Sequence, residues 1–180
     1  MVSLADVRPQ PWKNGGGTTR MLLAWPSPAD WRVRLSVAEV ASDGPFSCFD
    51  GVQRCFAVLS GAGVRLDVGG VLHTLTAASE PLVFDGAVAV GCTLMDGATL
   101  DFNLMARGGS PTLRRVRGAW QGPAGATGFV ALYAHQSWTT ATFDHETVKI
   151  PPATLAWRVA DLAAPVAVHS SDALWMEVMP

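Results

Sequence analysis

Two arginines in this sequence, Arg54 and Arg107, could hold a small anion. A guanidinium presents a planar fork of N–H donors, and that fork matches a carboxylate through charge-assisted, often bidentate contacts. Asn14 and Asn103 carry amides able to orient such a ligand. Two acids stand where acids are costly. The alternation Trp31, Val33, Leu35, Val37 extends to Glu39, which puts a carboxylate on the apolar side of a strand. In TLDFNLMAR, Asp101, Asn103 and Arg107 share one face with Met105, while Leu100, Phe102 and Leu104 share the other. A carboxylate on an inner face costs several kcal/mol unless paired, so it would face a ligand or an arginine, and Arg54 opens a neighbouring strand. The plainer alternatives are a strand that bulges or ends before Glu39, and a solvent-facing side for the 101–107 set.

Other catalytic patterns fail on spacing. PWKNGGGTTR, Pro11 to Arg20, lacks the lysine of a phosphate loop, and a strand-like run follows it instead of a helix. Its glycines either give an unusual backbone path or free N–H groups toward a ligand, with Lys13 and Asn14 beside them. Gly61 and Gly63 are not followed by the third glycine of a dinucleotide fingerprint; Leu66 stands there. No two of His73, His135, His145 and His169 are one residue apart. Asp144-His145-Glu146 begins like a zinc-protease motif, but Lys149 occupies the place of the second histidine. No metal and no cofactor are therefore expected. There is no G-x-S-x-G. Cys55 and Cys92 read as core thiols, and Cys48 lies in a loop.

Composition narrows the class. Hydrophobic residues make up 49% of the 180 and charged residues 16%, which is material for a core and the reverse of a disordered chain. A net charge of −2, with Lys13 and Lys149 the only lysines, argues against nucleic acid and against an anionic membrane surface. Three cysteines without zinc spacing read as reduced thiols, and no apolar run has the length of a membrane span. The expected location is cytoplasmic.

The elements that must position these residues are strands. Short runs rich in Val, Leu, Phe and Trp alternate with Gly, Pro, Asp and Ser. RCFAVLS-GAG-VRLDV, Arg54 to Val68, reads as a hairpin with a glycine turn. After Arg107-Gly108-Gly109-Ser110-Pro111 the pattern restarts, and FVALYAHQ echoes FAVLSGAG in type and alternation. A duplicated β-unit is expected, residues 1–109 and 110–180, packed as one compact unit. Residues 153–162 are compatible with a short helix.

PWKNGGGTTR, WRVRLSVAEV, GPFSCFDG, PLVFDG and DFNLMARGG occur in this order and at these spacings, and together they resemble the HutD/Ves family. The likeness covers most of residues 9–109 and is weaker beyond. It implies an all-β bicupin, two cupin-like barrels with few or no helices, in the bacterial cytoplasm. It also implies a protein that modulates histidine utilisation and does not catalyse a step, with urocanate or a formylated glutamate as the ligand class. The family pattern matches at Trp12, Asn14, Gly15, Gly16, Arg20, Ser36, Phe46, Arg54, Phe84, Asp101, Asn103 and Arg107. Met21 stands where the family often has an acid, and Glu39 is shared by some members only.

The expected site has Trp12, Lys13 and Asn14 at a pocket mouth. Arg54 and Arg107 hold the carboxylate, with Arg20 also in the binding set. Asn14 and Asn103 orient the ligand, and Glu39 or Asp101 fixes the arginines. Trp12, Phe46 and Phe84 cover an apolar or planar part. Three alternatives stand beside this. One is an isomerase or hydrolase using Glu39 or Asp101 as general base. Another is a Ves-like stress protein. The third is a homodimer formed through strand edges.

Overall fold

The computed structural model describes residues 1–122, 127–161 and 164–179. Its architecture is all-β. Apart from a 3-10 turn at Leu4–Asp6, every regular element among the described residues is a strand. None of these residues forms a helix long and apolar enough to cross a membrane.

The chain divides into two compact units, Val7–Gly108 and Met1–Asp6 with Gly109–Pro180. The sequence reading puts the first six residues with the N-terminal half. In the structure Val2–Ser3 pairs antiparallel with Thr154–Asp161, Val2 opposite Leu155, and Leu4 N–H donates to the Ala153 carbonyl. Backbone pairing over a few residues, not chain order, assigns that segment.

In the second unit the strands form one seven-stranded antiparallel sheet built around Ala167–Met179. That strand pairs with Ser110–Gln121 along its whole length, and with Thr127–Ala134 and Thr139–Phe143 along different parts of it. The helix-compatible stretch is a strand: Thr154–Asp161 pairs residue by residue with Thr127–Ala134. Its alanines and leucine suit a helix locally, but the adjacent Leu155 and Ala156, which point to opposite faces of a strand, are both buried once it pairs with a neighbouring strand. The inner space is filled by Val116, Val130, Leu132, Ile150, Val168 and Trp175.

In the Val7–Gly108 unit a six-stranded sheet runs Gln10–Pro11, Gly17–Pro26, Trp31–Val40, Thr99–Arg107, Val52–Ser60, Leu82–Asp85. A four-stranded sheet runs Gly44–Pro45, Val90–Leu94, Val64–Val68, Val71–Leu75. Both sheets supply the core: Val40, Phe56 and Val58 from the larger, Val64, Leu66, Val90 and Cys92 from the smaller. The expected Arg54–Val68 hairpin is not formed. Val52–Ser60 pairs with Thr99–Arg107 and Leu82–Asp85, whereas Val64–Val68 pairs with Val90–Leu94 and Val71–Leu75. The Gly61-Ala62-Gly63 turn carries the chain from one sheet to the other. Gly61 and Gly63 have φ of 96° and 112°, and a Cβ on Gly61 would lie 2.7 Å from the Ala98 carbonyl.

The Gly15-Gly16-Gly17 run is a tight turn. Gly15 N–H donates to the Trp12 carbonyl and Trp12 N–H to that of Gly17. A Cβ on Gly17 would overlap the Glu39 carbonyl oxygen of the adjacent strand, whereas one on Gly15 (φ 71°) would meet open space. Gly17→Ala is thus expected to cost at least about 3 kcal/mol and Gly15→Ala about 1 kcal/mol, read by urea denaturation. Equal losses would show that the close strand approach at Gly17 is not the constraint.

Candidate functional site

Three central strands of the six-stranded sheet align their polar side chains in rows. Met105 lies opposite Arg34 on one side and Arg54 on the other; Asn103 lies opposite Ser36 and Phe56; Asp101 lies opposite Ala38 and Val58. The Met105 and Asn103 rows, with Ala38 beside them, face inward and, together with the Gln10–Asn14 turn and the loop from Pro45 to Phe49, line a cavity of about 590 Å³. The loop is anchored at both ends. Phe46 N–H donates to the Val90 carbonyl, and Phe49 N–H to that of Gly86, where a side chain would crowd the Phe49 and Val52 carbonyls.

Arg54 is the most constrained polar group in the cavity, with 5% of its surface exposed. Its Nη2 donates to Asn103 Oδ1 at 3.0 Å and its Nη1 to the Ser47 carbonyl at 3.4 Å. Its guanidinium carbon lies 5.1 Å from the Phe84 ring centre, 5.3 Å from Phe46 and 5.9 Å from Phe49. Aromatic faces attract a cation, but they do not replace a counter-charge. Arg54 Nε has no hydrogen-bond partner. Arg34, half-buried, lies 5.6 Å from the same Phe49 ring and 5.8 Å from Trp31, and its buried Nε is also unpartnered. Among the described residues the ion pairs are Arg115–Asp172, Arg117–Asp172 and Arg158–Glu146, all in the other unit. Burial, then the nearby Arg34 charge, lowers the Arg54 pKa to about 10, against a smaller opposing effect of Cys48; burial lowers that of Arg34. Both stay cationic at neutral pH.

Of the residues singled out from the sequence, Trp12, Lys13, Asn14, Phe46, Arg54 and Asn103 line the cavity. Trp12 Nε1 donates to Thr19 Oγ1 at 2.7 Å, which fixes the indole edge-on to Phe46. The other five lie elsewhere. Glu39 is exposed, on the side of its strand opposite Arg34 and Ser36. Arg20 is off the cavity because its neighbour Thr19 points in. Arg107 is exposed, stacked 4.2 Å over Trp31 at the strand end. Phe84 is buried behind Arg54 and does not line the space. Asp101 lies one inward step past Asn103, outside the lining, with no exposed surface.

Arg34, Ser36, Phe49 and Phe56 also line the cavity, although the alternation alone did not assign them to it, and so does Met105, on the face it was expected to share with Asn103. The misread phase has a simple cause. In Trp31–Val40 both Leu35 and Val37 on one face and Ser36 and Ala38 on the other are buried. The apolar face is therefore not the one that lines the cavity. Arg34 and Ser36, polar residues of the same parity, were the available signal, beside the exposed Arg32 and Glu39 of the same strand. The glycine run forms no anion nest: Gly15 N–H is taken by the Trp12 carbonyl and Gly16 N–H by Asn14 Oδ1 at 3.0 Å. Among the described residues no three His, Cys, Asp or Glu side chains converge as a metal site would require.

Comparison with known proteins places the chain. The HutD family profile matches residues 4–177, and the chain belongs to the HutD family. It is similar to HutD from Pseudomonas fluorescens, at 26% identity over 99% of this chain and 96% of that one with a TM-score of 0.84. It is equally similar in fold to a conserved protein of unknown function from Pseudomonas aeruginosa (28% identity, 99% and 97% covered, TM-score 0.82). Protein Ves of Cronobacter sakazakii is 38% identical over 57% of this chain and 59% of its own length, so the match spans under two thirds of that curated relative. A cupin 2 barrel protein from Leptotrichia buccalis shares the fold at 11% identity, over 97% of this chain and 93% of that one, with a TM-score of 0.57. The fold is thus cupin-like.

Asp101 has a separate consequence. Its Oδ2 accepts from Thr99 Oγ1 at 2.8 Å, its Oδ1 has no partner, and burial lifts its pKa from 3.8 to about 7 against the Thr99 bond. The folded state keeps this proton when the unfolded chain has lost it. The associated stability is complete below about pH 3.8 and is lost as the pH rises to about 7. The slope is about 1.4 kcal/mol per pH unit in that window. Asp101→Asn keeps an acceptor for Thr99 and cannot ionise. It is expected to match the parent protein near pH 4 and to be more stable by a few kcal/mol at pH 8 in urea denaturation. Equal pH profiles for the two proteins would refute this.

Proposed function

We propose that this HutD-family chain binds a small carboxylate metabolite in the cavity of the Val7–Gly108 unit and modulates histidine utilisation in the cytoplasm, with no metal taking part. One observation carries the reading: a buried guanidinium, Arg54, faces a 590 Å³ space with a free Nε and no carboxylate partner among the described residues. An isolated buried cation is costly, and a carboxylate ligand would supply the missing charge. Asn103 and Ser47 hold the two terminal nitrogens of the guanidinium and leave its Nε without a partner. Trp12, Phe46 and Phe56 would cover the planar or apolar part of the ligand. The pathway assignment draws on the relatives: one is HutD by name, and another, from Pseudomonas putida, is described as lying in the hutC 3' region. Urocanate and formylglutamate are the first acids to try.

The enzyme reading has less behind it. Glu39 lies away from the cavity, and Asp101 lies outside its lining, so neither reaches a ligand held at Arg54 as a general base must.

Calorimetric titration of urocanate and N-formylglutamate tests the proposal. Removing a charged hydrogen-bond partner costs about 1.5–3 kcal/mol, so Arg54→Gln is expected to weaken binding at least tenfold. Arg107→Gln, altered outside the cavity, is expected to change it less than twofold. The idea fails if neither acid binds the parent protein at millimolar concentration, or if Arg107→Gln is as damaging as Arg54→Gln.

A further inference from the structure

Two of the cations that line the cavity, Arg34 and Arg54, are withdrawn from solvent, whereas the third, Lys13, is exposed at its mouth. Arg34 and Arg54 flank Met105 in register on either side of the Thr99–Arg107 strand. Their Cα positions are therefore about 10 Å apart, two strand spacings. Both guanidinium carbons approach the same ring, Phe49, at 5.6 and 5.9 Å. Each has a buried Nε without a partner, and neither has an ion-pair partner among the described residues. The two differ in one respect. Arg54 is tied to Asn103 and Ser47, whereas the Arg34 guanidinium makes no hydrogen bond among the described residues. Met105, apolar, stands between them on the middle strand, and the Phe49 ring lies beside both.

One carboxylate at Arg54 leaves the Arg34 charge uncompensated in a partly desolvated site. A single carboxylate shared by both would have to sit over Met105, giving up its hydration for an apolar floor. A ligand with an anionic group at each end and a short aliphatic segment between them satisfies all three elements. We infer that the cavity selects dianions, short-chain dicarboxylates, with Arg54 holding one carboxylate and Arg34 the other across Met105. This rests on the carboxylate-binding reading above and narrows it.

The test uses two five-carbon acids of equal chain length, glutarate (pentanedioate) and pentanoate, titrated calorimetrically into the full chain. Glutarate is expected to bind at least tenfold tighter than pentanoate. Arg34→Gln, at a half-buried position, is expected to remove that difference while leaving pentanoate affinity within about twofold. Circular dichroism and the melting temperature verify that the variant is folded. If glutarate and pentanoate bind the parent protein equally well, the dianion assignment is wrong while carboxylate binding stands. If Arg34→Gln weakens both acids alike, Arg34 touches the same carboxylate as Arg54 and the two-ended arrangement is wrong. If neither acid binds, the carboxylate reading itself falls, and this inference with it.

Discussion

A positive charge buried with no ion-pair partner among the described residues organises the Val7–Gly108 unit. Arg54 could not be held inside a β-fold by packing alone, because desolvating a guanidinium costs several kcal/mol. Asn103 Oδ1, the Ser47 carbonyl and the faces of Phe46, Phe49 and Phe84 share that cost. Each depends on a different element. Asn103 needs the register of Thr99–Arg107 against Val52–Ser60. Ser47, Phe46 and Phe49 need a loop stitched to the Val90 and Gly86 carbonyls. Phe84 needs the edge strand that places it opposite Arg54. The fold around the cavity can thus be understood as the support of one buried cation whose Nε is left without a hydrogen-bond partner.

The two units use similar strand-rich architecture toward different ends. In the unit containing Gly109–Pro180 the inward positions carry Val, Leu, Ile and Trp175, which fill the space between strands. In the Val7–Gly108 unit the apolar inward residues, Val58, Val64, Leu66 and Cys92 among them, form a core, and Arg34, Ser36, Arg54 and Asn103 line a cavity. Asp101, one strand step past Asn103, is a buried acid with one oxygen unsatisfied; its neutral form is the one that burial favours at acid pH.

Local chemistry was readable where it decided structure alone. Period-two alternation and turn residues identified an all-β chain, and the motifs from PWKNGGGTTR to DFNLMARGG pointed to the HutD/Ves likeness that the family match now bears out. The failures share a cause, which is partner choice. Gly61-Ala62-Gly63 has the residues of a hairpin turn, yet its flanking strands join different sheets. The 153–162 stretch has helix-compatible residues, yet a neighbouring strand captures 154–161. Glu39 followed the apolar phase correctly but fell on the side away from the cavity, and Arg107 shared Asn103's face but lay at the strand end over Trp31.

By itself the sequence determined the strand periodicity, the placement of its turns, and the presence of arginine, amide and aromatic groups suited to an anion, because these follow from side-chain type and spacing along one chain. Only the tertiary structure decided which guanidiniums meet. Arg34 and Arg54 are twenty residues apart in sequence and face one cavity because a third strand, Thr99–Arg107, pairs between theirs. Most of both faces of Trp31–Val40 is buried, so Arg34 and Ser36 on the cavity side are a faint mark, and inward direction is fixed by long-range hydrogen bonding more than by local pattern.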